Sequence, residues 1–128
     1  MSRALAFSMM LATAFGFARP AIGQTLDEFF GKERLDVVKM DVEGAEGSVL
    51  KGMRGLIRLN PGMKLFSEFN PTFLRASGTD PVAFVRELAA HRFTLYEISQ
   101  SRLRLVPFDE SGIAALPEGE GIELLCTR

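Results

Sequence analysis

The chain has 128 residues, of which 47% are hydrophobic and 24% charged. That length suits one domain, and the balance excludes a disordered chain, a collagen and a disulfide scaffold. With 15 basic and 16 acidic residues the net charge is -1, so nucleic-acid binding driven by bulk positive charge has no support. One cysteine, Cys126, and one histidine, His91, exclude an internal disulfide, a Cys/His zinc site and any chemistry that needs two histidines.

Residues 1–24 differ from the rest. Ala4 to Ala18 carries no charge; Arg3 precedes it, and Arg19-Pro20 then Ala21-Ile22-Gly23-Gln24 follow. A basic start, an apolar core and small residues near its end predict a secretory signal peptide or a segment outside the domain. The run falls short of the ~18–20 residues of a spanning helix, so no stable membrane span is expected. The boundary lies near Gln24, with the domain at 25–128.

Thr25-Leu26-Asp27-Glu28 has the form of a capping box, predicting a short helix through Phe30 that ends at Gly31. Leu35 to Val42 is a β-branched run that predicts a buried strand, ended by Glu43-Gly44. Ala45, Val49, Leu50, Met53, Leu56 and Ile57 form one helical stripe, predicting a single helix stopped by Asn60-Pro61-Gly62. Its glycines, Gly47, Gly52 and Gly55, point to close packing against a sheet or to a mediocre helix. Met63 to Phe69 predicts a second strand, cut by Asn70-Pro71. A loop or helical turn follows to Gly78. Asp80-Pro81 opens a helix with Val82, Val85, Leu88 and Ala89 on its buried face. Phe93 to Ile98 predicts a third strand. The alternation of Leu103 and Leu105 with Arg102 and Arg104 predicts an edge strand or hairpin arm. Asp109 to Leu116 suits a short helix, and Gly121 to Thr127 a final strand. The fold class is therefore α/β, with helices on both faces of the sheet and right-handed crossovers. Phe29, Phe30, Phe66, Phe69, Phe84 and Phe93 are core candidates.

Ligands of such sheets bind beyond the carboxyl ends of the strands. Asp41, Glu43, Gly44 and Glu46 follow the first strand; Glu68 and Asn70 end the second. Carboxylates there can accept bonds from hydroxyls, act as a general base or hold a hard cation. Alternatively, Glu43 and Glu46 serve the helix start and Asp41 caps it. His91 suits a helix end, Cys126 a small buried apolar position, and Asn70 a strand-ending turn.

The run Asp36-Val37-Val38-Lys39-Met40-Asp41-Val42-Glu43-Gly44-Ala45-Glu46, followed by Val49-Leu50-Lys51-Gly52, resembles the signature of the FkbM-type methyltransferases. Thr25 to Phe30 matches the segment that precedes it there, Glu68 the acidic end of the next strand, and Gly121 to Leu125 the last strand. The resemblance implies a Rossmann-like class I sheet, S-adenosylmethionine as cofactor, and methyl transfer to oxygen on a small hydroxylated or sugar-type acceptor. It implies catalytic roles for Asp41, Glu43 and Glu68, and acceptor contacts for Gly44, Glu46 and Asn70. No metal is called for, although Asp41, Glu68 and Asn70 are the residues a cation would use.

The family also implies a glycine-rich loop after its first strand and an acidic residue after its second, which together hold the donor. No such strand and turn precede Thr25 in this sequence. The sequence thus predicts the C-terminal half of the domain, from the fourth strand onward, with a partner chain as one way to complete the sheet. A cytoplasmic location goes with methyl transfer. The alternative is a small exported binding or structural protein that keeps the half-fold. A phosphoacceptor receiver-like domain is disfavoured: it lacks the early acidic pair, and Asn70-Pro71 stands where lysine-proline is needed.

Overall fold

The structure, a computed structural model, describes residues 24–101 and 104–128. The apolar run Ala4–Ala18, with the signal-peptide expectation attached to it, lies outside the described residues, as do Arg102 and Leu103 of the predicted alternation. Helix α1 spans Leu26–Phe30 and carries the predicted capping box. Thr25 N donates to the Glu28 carboxylate at 2.8 Å, and Glu28 N to the Thr25 hydroxyl at 3.1 Å. Strand β1 is Val37–Met40, shorter than the apolar run that announces it.

The single helix expected after β1 is two helices, α2 (Glu46–Lys51) and α3 (Arg54–Leu59). Periodicity conceals the break, because Leu50, Met53, Leu56 and Ile57 stay buried across it. The cause is α1. Asp27 N donates to the Gly52 carbonyl at 2.8 Å. The Asp27 carboxylate in turn accepts from Gly55 N at 2.9 Å and Leu56 N at 2.8 Å, satisfying the first free amides of α3. The glycines therefore do not face the sheet. A Cβ on Gly55 would stand 3.0 Å from the Asp27 carboxylate, and one on Gly52 3.3 Å from Thr25.

Strand β2 (Lys64–Phe69) leads into α4 (Pro71–Ala76), where the sequence leaves a loop or turn open. Helix α5 (Pro81–Ala90) starts at the predicted Asp80 cap. It buries Phe84, Val85 and Leu88, whereas Ala89 is exposed. Phe84 takes that place because it stacks on Phe69, with ring centroids 6.1 Å apart. Strand β3 (Thr94–Ser99) and β4 (Arg104–Phe108) form the predicted hairpin at the sheet edge, and a 3₁₀ turn covers Glu110–Ala115. Strand β5 (Ile122–Thr127) ends the fold.

The sheet is mixed, in the order β1-β2-β5-β3-β4. β1 and β2 are parallel, whereas β5 lies antiparallel between β2 and β3. The fold class is thus α/β, but helices on both faces are not found among the described residues. Val38, Leu65, Cys126 and Leu95 are cross-strand neighbours on one face, and they join the core cluster with the helix residues Leu50, Ile57, Leu74, Phe84 and Leu88. Lys39, Phe66, Leu125 and Tyr96 line up on the other face, outside that cluster. The reason is topological. From β1 to β2 to β3 the crossovers advance in one direction, and crossovers of one hand then fall on one face. Covering the second face requires the strand order to reverse. Of the six phenylalanines expected inside, Phe69, Phe84 and Phe93 are buried, whereas Phe29 is 62% exposed. Among the described residues no helix is long and apolar enough to cross a membrane.

Candidate active site

β1 and β2 deliver their carboxyl ends side by side, so Asp41, one residue past β1, comes next to Glu68 near the end of β2. The Asp41 carboxylate is close enough to act electrostatically on the Glu68 carboxyl. Across the β2–β5 ladder Glu68 stands directly opposite Glu123. Like charges opposed in this way repel. Burial, reinforced by Asp41, Glu46 and Glu123, pushes the Glu68 carboxyl from 4.5 up to about 7. Burial also raises Glu123, against the pull of Lys39. A cleft of about 590 Å³ opens here, lined by Glu68, Glu97, Ser99, Glu120 and Glu123 among others.

The other acidic residues after β1 are placed differently. Glu46 is 2% exposed and accepts from Val42 N at 3.1 Å and Gly44 N at 2.9 Å. Its two oxygens tie the strand-to-helix turn, and burial of a carboxylate is tolerable on such terms. Gly44 has φ 102°, and a Cβ there would lie 2.5 Å from the Phe73 carbonyl oxygen, so only glycine lets α4 approach. Glu43 is exposed with φ 49°, a left-handed backbone uncommon for glutamate. Asn70 is 6% exposed: its Oδ1 accepts from Thr72 N and Phe73 N, capping α4, while its Nδ2 donates to the Gly119 carbonyl at 3.2 Å.

Of the six residues singled out in the sequence, the structure therefore joins Asp41 and Glu68. It places Gly44, Glu46 and Asn70 in the surrounding frame and Glu43 on the surface. Glu123 completes the row and escaped the sequence reading. Its partner Glu68 is far away in sequence, and nothing local announces an antiparallel strand inserted beside β2. Among the described residues no group of three or more His, Cys, Asp or Glu is arranged to hold a metal ion. Cys126 is buried as expected, and burial lifts its thiol to about 12, so it is inert as a nucleophile. His91 closes α5, 3.9 Å from Glu87.

The residues described do not fit the methyl donor that the sequence resemblance implies. Such a ligand needs an open glycine turn after a strand, where backbone amides can approach it. The turn after β1 is shut, since the Gly44 amide is held by Glu46 and its Cα face is filled by Phe73.

Comparison with known proteins bears on the same region. No curated protein and no solved structure matches the chain. A family model, the methyltransferase FkbM domain, matches residues 17–101. The match covers more than half of the chain and includes both strands that carry the Asp41–Glu68 pair. By that match, the chain belongs to the FkbM methyltransferase domain family.

Proposed function

We propose that this chain supplies the acceptor side of an S-adenosylmethionine-dependent O-methyl transfer to a small hydroxylated or sugar-type molecule. The observation that carries this reading is the Asp41–Glu68 pair, whose Glu68 carboxyl changes protonation near pH 7 beside an open cleft. A base poised near the working pH is what removal of a hydroxyl proton requires. In this reading the pair orients an acceptor hydroxyl and takes its proton onto a carboxylate oxygen. The buried Glu46 and Asn70 keep that edge in shape, and Glu43 and Gly44 form its rim.

Donor binding belongs elsewhere in this reading. In a doubly wound sheet the ligand sits where the strand order reverses. Among the described residues the order never reverses, and β1 is paired only with β2. A reversal would fall at the open side of β1, beside an apolar hollow of about 260 Å³ lined by Leu26, Val38, Met40, Val42 and Val49. The sheet then corresponds to the fourth strand onward of a Rossmann-like class I methyltransferase, completed there by a partner chain or segment.

Calorimetric titration of the full chain with S-adenosylmethionine tests the donor part: no binding in the micromolar range is expected, and micromolar binding overturns it. The acceptor part is tested by mixing the chain with a donor-binding half from a family enzyme, labelled S-adenosylmethionine and a panel of sugars. Label transfer that is lost in Glu68→Gln supports the role. Equal transfer by that variant removes it. The closed turn at Gly44 also favours a second reading, an exported binding protein that keeps the half-fold. Its mark is a mature N-terminus at or near Gln24.

A further inference from the structure

The amino end of the sheet, opposite the acid row, holds a basic hollow of about 400 Å³ lined by Arg54, Arg58, His91, Arg92 and Arg128, with no Asp or Glu among the described residues of its wall. Helices α3 and α5 both finish here, and cations are favoured at helix C-termini for that reason alone. That need is already met. Arg128 donates through Nη2 to the carbonyls of Ile57 at 2.7 Å and Asn60 at 2.6 Å, closing α3, and its guanidinium lies 4.8 Å from the centre of the Phe93 ring. Helix α5 is closed by its own backbone: Phe93 N donates to Leu88 O at 3.2 Å and Arg92 N to Ala89 O at 2.9 Å. Arg54 pairs with Glu87 at 2.6 Å. Arg58 and Arg92 are exposed, and neither guanidinium meets a partner among the described residues.

Arg92 adds an independent observation. It occupies the position just past the helix cap with φ 66°, where glycine is the usual solution. An arginine kept in a strained left-handed backbone points to a use for its side chain. We propose that this hollow is a binding site for a diphosphate group, with Arg58 and Arg92 each forking onto one phosphate and the anchored Arg128 in the same wall. Guanidinium matches phosphate in paired hydrogen bonds, and two free guanidiniums beside two anchored ones suit a ligand with two phosphates. The diphosphate has two sources, free in solution or carried on a nucleoside.

The test titrates the full-length chain with inorganic pyrophosphate and, separately, with adenosine diphosphate, at two salt concentrations. Binding tighter than about 1 mM, weakening with salt, is expected for pyrophosphate. The double variant Arg58→Gln, Arg92→Gly should lose about tenfold or more in affinity. Its melting temperature should not fall, because glycine relieves the left-handed position. Tighter binding of the nucleotide than of pyrophosphate assigns the nucleoside-borne source, and equal binding assigns the diphosphate itself. No pyrophosphate binding up to about 10 mM, or the same affinity in the folded double variant, overturns the site.

Discussion

At the carboxyl end of the sheet, carboxylates are gathered beside one another; at the amino end, two of the four guanidiniums are anchored on protein partners. Burial, reinforced by the like charges of Asp41, Glu46 and Glu123, raises the proton affinity of Glu68. Arg54 and Arg128 each have a fixed acceptor, Glu87 for one and the α3 carbonyls for the other. A net charge of -1 conceals this polarity. The contrast teaches that burial beside like charges raises a proton affinity, whereas anchoring sets a geometry. Each end also bears one non-glycine residue with a left-handed backbone, Glu43 and Arg92.

The largest expected effect breaks the carboxyl end. Gly44→Ala puts a methyl 2.5 Å from the Phe73 carbonyl at φ 102° and should cost about 3 kcal/mol in chemical denaturation, by backbone strain and displacement of α4. The amino end should yield less. Arg128→Ala frees two carbonyls and a ring face, for a loss of about 1–2 kcal/mol by the same measurement.

Next comes the proton on Glu68. Its folded pKa of about 7 exceeds the ordinary 4.5, so between these values the folded state retains a proton that the unfolded chain has released. This group's contribution is therefore full below 4.5 and fades as pH rises through 7. Glu68→Gln should flatten that slope and leave the protein more stable than wild type at alkaline pH by about 1 kcal/mol, once solvent screening is allowed for. Urea melts across the pH range decide it, and an unchanged slope rejects the raised proton affinity of Glu68. The smallest effects sharpen the symmetry: Glu43→Gly and Arg92→Gly should each raise stability by about 0.5–1 kcal/mol. A loss at either position shows that its side chain holds the fold together.

Much of the fold was legible where the signal is local. The Thr25–Glu28 box, the Asp80-Pro81 start and the strand at Lys64–Phe69 all stand where the sequence puts them. Asp41 and Glu68 were legible as site candidates because both end a parallel strand. What escaped depends on contacts distant in sequence. The break between α2 and α3 comes from Asp27, and no periodicity within 45–58 records it. The placement of β5 between β2 and β3 is a tertiary choice, and Glu123 joins the acid row only through it. That no described helix covers the second face follows from the direction of the crossovers. The roles of Glu46 and Asn70 were ambiguous from their types, since a buried amide or carboxylate serves a turn as readily as a ligand; their hydrogen bonds to backbone atoms tie both to turns.

Cys126 lies in the second-to-last position of β5, with Leu65 on one side, Leu95 on the other and no exposed surface. A thiol reagent can reach it only when the central ladder parts. Because the chain has no other cysteine, the rate of its modification counts openings of this ladder one by one, and the protein carries its own stopwatch for them.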